Sequence, residues 1–171
     1  MIGAMQLRVT ETDSPVGRLK LVVREDRLCG LSFEGGWGGL QRFIECRFGK
    51  AALRPVSDAG QVSGLLEAYF DGQLGALERI QVDAGGSPFQ RRVWAELRRI
   101  AVGSTTSYSE LARTIGQPTA ARAVATANAQ NPVAVVIPCH RVIQANGSIS
   151  GYGGGLERKR WLLRHEGAIL C

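Results

Sequence analysis

The feature that most restricts the fold is the break Ala84, Gly85, Gly86 and the residues that follow it, Ser87, Pro88, Phe89 and Gln90. Paired glycines interrupt regular structure, and the next four residues are what a helix needs at its start. The first backbone N–H groups of a helix lack intrahelical acceptors; a serine cap, a proline in the first turn and a glutamine three residues after the cap satisfy or remove them. Phe89, Val93, Leu97 and Ile100 then recur on one helical face. A boundary is therefore expected here, between an N-terminal α/β domain over 1–85 and a mostly helical domain over 86–171. A chain of 171 residues supports two such units with ordinary hydrophobic cores.

In the first part, Leu19 to Arg24 and Leu28 to Phe33 are apolar-rich runs joined by Glu25, Asp26 and Arg27, the pattern of an antiparallel hairpin. Leu40, Phe43, Ile44 and Phe48 follow at helical spacing, as do Val62, Leu65, Leu66, Tyr69 and Phe70. Gly35, Gly36, Gly38 and Gly39 read as a flexible connector. In the second part, Ser107 and Glu110 form another capping box, opening a short helix through Leu111, Ala112 and Ile115 that Gly116 terminates. Pro118 and Thr119 start a further helix, from Ala120 to about Ala129. This pair has helix-turn-helix spacing.

Charge is distributed unequally between the parts. Residues 1–85 carry 10 Lys and Arg against 11 Asp and Glu, whereas 86–171 carry 11 against 4, so the net +6 belongs to the second part. Eighteen of the 21 cations are arginine, the side chain best shaped for phosphate. The second helix of the pair, TAARAVATANA, surrounds Arg122 with small residues, including Thr119, Ala121 and Ala123. Such a surface fits a narrow groove while one long cation reaches deeper. A solvated basic face and an alanine-rich core helix remain as alternatives at this point. No apolar run reaches membrane-spanning length, and Arg8, Glu11, Asp13 and Arg18 interrupt the region where a signal peptide would lie, so a cytoplasmic protein is expected. Cys29, Cys46, Cys139 and Cys171 form no CxxC pair and are expected reduced.

Chemistry concentrates in VAVVIPCHRVI, where a short apolar run expected to be a buried extended segment delivers Cys139 and His140. A cysteine near its ordinary pKa of roughly 8.5 is only slightly ionised at neutral pH, so a nucleophilic one needs a base or a positive charge nearby. His140 and Arg141 are the adjacent candidates. Neighbouring side chains on a strand face opposite ways, so a turn, a bridging water or both are required to join Cys139 to His140. Glu166 is the leading acceptor for the second ring nitrogen, and His165 a weaker alternative base. GSISGYGGG, with Tyr152, reads as a mobile loop able to wall a pocket, and ERKR at 157–160 as a solvated helical face.

Taken together, SPFQRRVW, TSYSELA, AARAVATANAQNPVAVVIPCHRVI and GYGGGLERKRWLLRHEG resemble the O6-alkylguanine-DNA alkyltransferases, also called methylated-DNA–protein-cysteine methyltransferases. The resemblance runs over about residues 87–167, is most specific at NPV and PCHRV, and extends more loosely to SPVGRLKLVV near the start. It implies a ribonuclease-H-like α/β N-terminal domain and a mostly α, winged-helix-like C-terminal domain containing the helix-turn-helix. Cys139 then accepts the alkyl group, His140 acts as a base through water, Glu166 orients His140, and Asn131 braces the turn into the active-site segment. Arg122 fills the gap left by an extruded guanine. Tyr108 presses on the flanking phosphate and donates a proton to the departing base. Val142, Tyr152 and Gly153 line the base pocket, and Lys159 supports the site.

The implied activity is single-turnover transfer from O6-alkylguanine, and from O4-alkylthymine, in duplex DNA with the damaged nucleotide flipped out, by a monomer without cofactor. The chemistry agrees: a soft thiolate attacks the alkyl carbon, and a stacked base must leave the helix to be reached. A thioether offers no leaving group, so each molecule reacts once. Some members hold a structural zinc in the N-terminal domain with cysteine and histidine, but no histidine precedes His140, so no metal is expected. A non-catalytic group carries tryptophan in place of the acceptor; here Cys139 is present, and Ala134, Ser150 and Gly153 are positions suited to tuning adduct size. A helix-turn-helix protein that binds lesions without chemistry and a Cys-His hydrolase remain the competing readings.

Overall fold

The structure is a computed structural model that describes residues 6–50 and 53–170. It divides into two compact units, one running up to Gly85 and including Pro132–Ala134, the other comprising Gly86–Asn131 and the chain from Val135. Cys171 lies outside the described residues.

The first unit is built on a four-stranded sheet. Strands β1 (Leu7–Thr12), β2 (Leu19–Arg24) and β3 (Arg27–Phe33) form an antiparallel meander, and β4 (Leu53–Pro55) lies parallel to β1, giving the order β3-β2-β1-β4. The hairpin appears where the sequence places it, with Glu25 in the left-handed region at φ 55° to close a tight turn. Leu21, Val22 and Val23 are all buried, so both faces of β2 are covered rather than one. Helix α1 (Trp37–Phe48) seats Leu40 and Ile44 against Leu7, Val22 and Cys29. A Cβ on Gly30 would stand 2.8 Å from the Leu40 Cδ1 atom, so a side chain in β3 would push the tip of Leu40 aside where the helix crosses the strand. Gly38 and Gly39 are not part of a connector: they form the first turn of α1, because the apolar periodicity behind them outweighs the modest cost of glycine in a helix. Helix α2 (Gln61–Phe70) buries Val62, Leu65, Leu66 and Tyr69 and packs on the 3-10 turn Leu74–Arg79.

The outer edge of β3 is occupied at two points by bridges, Leu28 with Val82 and Leu31 with Val133. The Leu31 N–H donates to the Pro132 carbonyl at 2.9 Å, and the Ala134 N–H donates back to Leu31 at 3.2 Å. These bonds place Pro132–Ala134 in the first unit.

In the second unit α3 (Pro88–Arg99) carries the full capping box: Ser87 Oγ accepts from the Gln90 N–H at 3.1 Å and Gln90 Oε1 from the Ser87 N–H at 2.9 Å. Helix α4 (Tyr108–Thr114) has half of one, because Ser107 caps the Glu110 N–H while the Glu110 carboxylate pairs with Arg113. Gly116, at φ 78°, follows the end of α4. Helix α5 (Ala121–Ala129) turns Val124, Ala127 and Asn128 inward, and Trp94 Nε1 of α3 donates to the Ala127 carbonyl at 2.9 Å. Strand β5 (Thr106–Ser107) runs parallel to β6 (Val142–Ile143), and α6 (Leu156–His165) closes the described structure. Among the described residues, no helix is long and apolar enough to cross a membrane.

The expected extended segment before Cys139 is buried but not extended. After the Val133 bridge the chain turns, with Val135 at φ 69°, and only Val142 and Ile143 form a strand. A continuous apolar run reports burial, not period, so it did not distinguish a strand from a packed coil.

Candidate active site

Cys139 stands on a local kink whose parts are readable one by one. Pro138 adopts φ −82° and ψ 64°, the geometry of an inverse γ-turn, and the Cys139 N–H donates to the Ile137 carbonyl at 2.8 Å. Asn131 Nδ2 donates to the same carbonyl at 2.8 Å, replacing the ladder partner a strand would have provided. The chain then makes a 3-10 turn over Cys139–Arg141, so Cys139 and His140 do not have the opposed directions of strand neighbours. Burial pushes the Cys139 thiol up, while a hydrogen bond from Asn131 and the charge of Lys159 pull it down. The resting group is the neutral thiol, and its use as a nucleophile requires a proton acceptor.

His140, Arg141 and Glu166 form a closed buried network. His140 Nε2 lies 2.8 Å from Glu166 Oε1; Arg141 Nε donates to Glu166 Oε2 and its Nη2 to Oε1, both at 2.9 Å; Arg141 Nη1 donates to the Ile100 carbonyl at 2.7 Å. Burial alone would raise the Glu166 carboxyl, but the bonds from His140 and Arg141 hold it down at about 2. The carboxylate is therefore ionised and only accepts, so the His140 proton sits on Nε2. Burial lowers the His140 pKa against the upward pull of Glu166, which keeps the ring neutral. Its Nδ1 is then a bare acceptor, buried and without a hydrogen-bond partner among the described residues. His165, the alternative base, stacks on Trp161 with ring centroids 4.7 Å apart.

Lys159 is fully buried on α6, and its Nζ donates to the carbonyls of Val142 at 2.7 Å and of Ser150 and Gly151 at 3.1 Å each. One ammonium thus pins the glycine-rich loop to β6 beside the thiol. Ser150 Oγ also accepts from Gln144 at 2.8 Å. Val142 is buried, Tyr152 half-buried and Gly153 exposed. Tyr108 opens α4; burial raises its phenol and the Cys139 charge raises it further, while a hydrogen bond with Asn128 opposes both. On α5 and the turn before it, Thr119, Arg122 and Ala123 are exposed and Ala121 is half-buried.

The family model of the 6-O-methylguanine DNA methyltransferase DNA-binding domain matches residues 88–168. The methylated-DNA–protein-cysteine methyltransferase of Salmonella typhimurium is 41% identical over 160 residues, covering 92% of this chain and 94% of its own length. The protein of the same name from Mycolicibacterium paratuberculosis is 47% identical over 162 residues, covering 92% and 93%. The chain belongs to the methylated-DNA–protein-cysteine methyltransferase family. The crystal structure of Mycobacterium tuberculosis OGT in complex with DNA is similar to it with a TM-score of 0.80 at 37% identity, covering 94% of this chain and 93% of that one. As a member of this family it is a DNA-repair methyltransferase whose acceptor is a protein cysteine.

Within this methyltransferase, two expectations change. Arg141 does not act on the thiol: its guanidinium is committed to Glu166 and Ile100, and the cation acting on Cys139 is Lys159. The ERKR run is not uniformly a solvated face, since Glu157 and Arg160 are exposed but Lys159 is buried. The sequence held a signal for this, because Lys159 stands three residues before Leu162 and four before Leu163, on the apolar side of α6. Asn128 was missed altogether; its spacing of four from Val124 placed it on the inner face of α5.

Proposed function

We propose that this methyltransferase repairs O6-alkylguanine, and O4-alkylthymine by the same chemistry, in duplex DNA by moving the alkyl group once to Cys139. The observation that carries the reading is the buried neutral His140, with Nε2 committed to Glu166 and Nδ1 left as an acceptor next in sequence to a buried thiol. In the proposed reaction a water passes the Cys139 proton to His140 Nδ1, and Glu166 stabilises the imidazolium. The thiolate attacks the alkyl carbon in line, the carbon–oxygen bond breaks, and its electrons pass to the purine. Tyr108 gives its phenolic proton to the departing base, and the imidazolium proton returns to Tyr108 through solvent. The products are neutral guanine and a thioether, so a second cycle has no leaving group. Every group required is a protein side chain or water, and no cofactor or metal enters.

Duplex DNA is the proposed partner because the relative from Mycobacterium tuberculosis was solved in complex with DNA, and because Thr119, Arg122 and Ala123 are exposed around α5. The target atom is unreachable in the stack, so the nucleotide flips at a cost of a few kcal/mol, which Arg122 offsets by occupying the gap. Ala121 lies alongside. Asn131 braces the turn into Pro138–His140, Val142, Tyr152 and Gly153 line the base pocket, and Lys159 fixes the loop that carries two of them. We assign the reaction to a domain over 86–171 with a winged-helix-like motif, following a ribonuclease-H-like domain over 1–85, in a cytoplasmic monomer.

Mass spectrometry after incubation with an O6-methylguanine duplex tests this. A gain of one methyl on Cys139 is expected. Unmodified protein that still binds the duplex makes it a lesion-binding helix-turn-helix protein instead, and turnover of an ester or amide makes it a Cys-His hydrolase.

A further inference from the structure

Gln130 is the C-cap of α5, and its φ of −89° and ψ of 6° carry the helical spiral one step further. It follows Ala123 by seven residues and Thr126 by four, which places the three on one face, and all three are exposed. Side-chain donors thin out along that face. Ala123 has none. The Thr126 hydroxyl donates to the Arg122 carbonyl at 3.1 Å, so it turns only lone pairs outward. The last turn of α5 carries no basic side chain, and a helix C-terminus is the negative end of its dipole. Among the described residues at this end of the face, the side-chain donor left for a passing phosphate is Gln130.

The sense of that amide is dictated by a chain of hydrogen bonds starting at the cap of α3. The Ser87 N–H donates to Gln90 Oε1 at 2.9 Å, and because a backbone N–H can only donate, the oxygen end of Gln90 is fixed on that side. The other end is then Nε2, which donates to Gln130 Oε1 at 2.8 Å. This contact occupies the oxygen of Gln130. Its Nε2, with two hydrogens, is turned away and has no acceptor among the described residues. An amide free to rotate offers oxygen and nitrogen alike, whereas this one presents nitrogen. Arg91, next to Gln90 and exposed, adds positive charge: its guanidinium donates to the Gly86 carbonyl at 2.6 Å and is paired with no carboxylate among the described residues.

We propose that Gln130 donates from Nε2 to a phosphate oxygen of the DNA backbone passing the C-terminal end of α5, and that Gln90 is the positioning residue that holds the amide in that sense. This rests on the DNA-binding reading given to α5 above. A phosphate oxygen only accepts, so the sense of the amide decides between attraction and repulsion. Such a contact sets register on the duplex and carries no base sequence.

The test measures the affinity of the whole chain for a labelled undamaged duplex at one fixed salt concentration, since affinity falls as salt rises. Gln130→Ala should weaken binding about fivefold, and Gln130→Glu, which turns a charged acceptor toward the phosphate, about twentyfold. The deciding variant is Gln90→Glu. Its carboxylate still accepts from the Ser87 N–H and keeps the capping box, and so the fold. Its second oxygen, however, draws Gln130 Nε2 inward and turns Oε1 out. Gln90→Glu should weaken binding about tenfold beside Gln130, but no more than about twofold beside Gln130→Ala, where no amide remains to be reversed and only the added charge acts. Equal losses in the two backgrounds mean charge alone and overturn the proposal, as does wild-type affinity in both Gln130 variants. The slope of log affinity against log salt should keep its wild-type value in Gln130→Ala, because a neutral amide displaces no counterion. A shallower slope means that the binding surface as a whole has changed, and it overturns the single contact. A wild type that binds no duplex instead overturns the reading of function on which this one rests.

Discussion

The interiors of the two units differ in kind. Among the described residues of the first unit, Leu7, Leu19, Leu21, Leu28 and Leu66 typify the core, and the polar groups buried with them are the hydroxyls of Thr10, Ser32 and Tyr69 and the Cys29 thiol. The second unit buries Asn128, His140, Arg141, Lys159 and Glu166. Hydrocarbon burial stabilises by area and tolerates many arrangements, at about 1.5–3 kcal/mol for a large side chain. Buried charge is tolerated only when its partners and geometry are complete, and removing one member leaves the others unpaired. The first interior is thus a support that many sequences satisfy, whereas the second fixes protonation states.

The two buried cysteines give the largest contrast. Burial raises both Cys29 and Cys139; at Cys29 Asp83 raises it further before Arg47 and Arg24 pull it back, whereas at Cys139 every other influence, Asn131 and Lys159 foremost, pulls against burial. Cys139→Ala should abolish methyl transfer with little loss of stability, whereas Cys29→Ala should leave the transfer rate intact. Peptide mapping of the methylated protein checks both, and methyl on Cys29 would break the comparison.

Next in size, Glu166→Gln should destabilise by about 3–5 kcal/mol, because the Arg141 guanidinium is left without its carboxylate. It should also slow transfer in whatever remains folded. A glutamine NH2 facing Nε2 forces the His140 proton to Nδ1 and removes the acceptor there. Leu66→Ala in the first unit should cost a comparable amount, about 2–5 kcal/mol, with no change in rate per folded molecule. Denaturant titration paired with single-turnover kinetics separates the two; a rate loss in Leu66→Ala would show that the first interior does more than support.

What the sequence made legible follows the same division. The hairpin at Leu19 to Phe33 and the capped helix at Ser87 were readable because period and capping are local. The pairing of Glu166 with His140 was readable because only a few acceptors lay near the end of the last helix. Strands β1 and β4 were not anticipated; the parallel β4 is three residues long, too short to carry a period. The coil before Cys139 was misread because burial of Val133, Val135, Val136 and Ile137 is compatible with any backbone. The part played by Arg141 was hidden because nothing local says whether a cation faces a thiol or a carboxylate 25 residues later.

Acid should separate the units by a smaller amount. Glu166 has a folded pKa of about 2, below its ordinary 4.5, so the unfolded chain takes up a proton first as pH falls. The stability this gives is complete above about 4.5, on the order of 3 kcal/mol, and is lost as pH drops toward 2. His140, lowered by burial, acts in the same direction, its loss starting below the ordinary 6.5. Thr10 and Ser32 do not ionise. Hydrogen-exchange protection, corrected for intrinsic rates, should therefore fall first around His140 and Glu166 and later in β2 and β3. Simultaneous loss would mean that the charged interior does not govern the acid limb.

The smallest effect tests whether the difference lies in kind of burial or merely in which unit a residue occupies. Ser87 belongs to the second unit but caps α3 from the surface, through the Gln90 N–H at 3.1 Å. Ser87→Ala should cost about 1 kcal/mol, the usual value of such a cap. It touches none of His140, Arg141, Lys159 or Glu166, so methyl transfer per folded molecule should keep its rate and its pH profile. A shift in that profile would mean that protonation at Cys139 and His140 depends on the whole second unit, whereas an unchanged profile confines it to the closed network of buried charges.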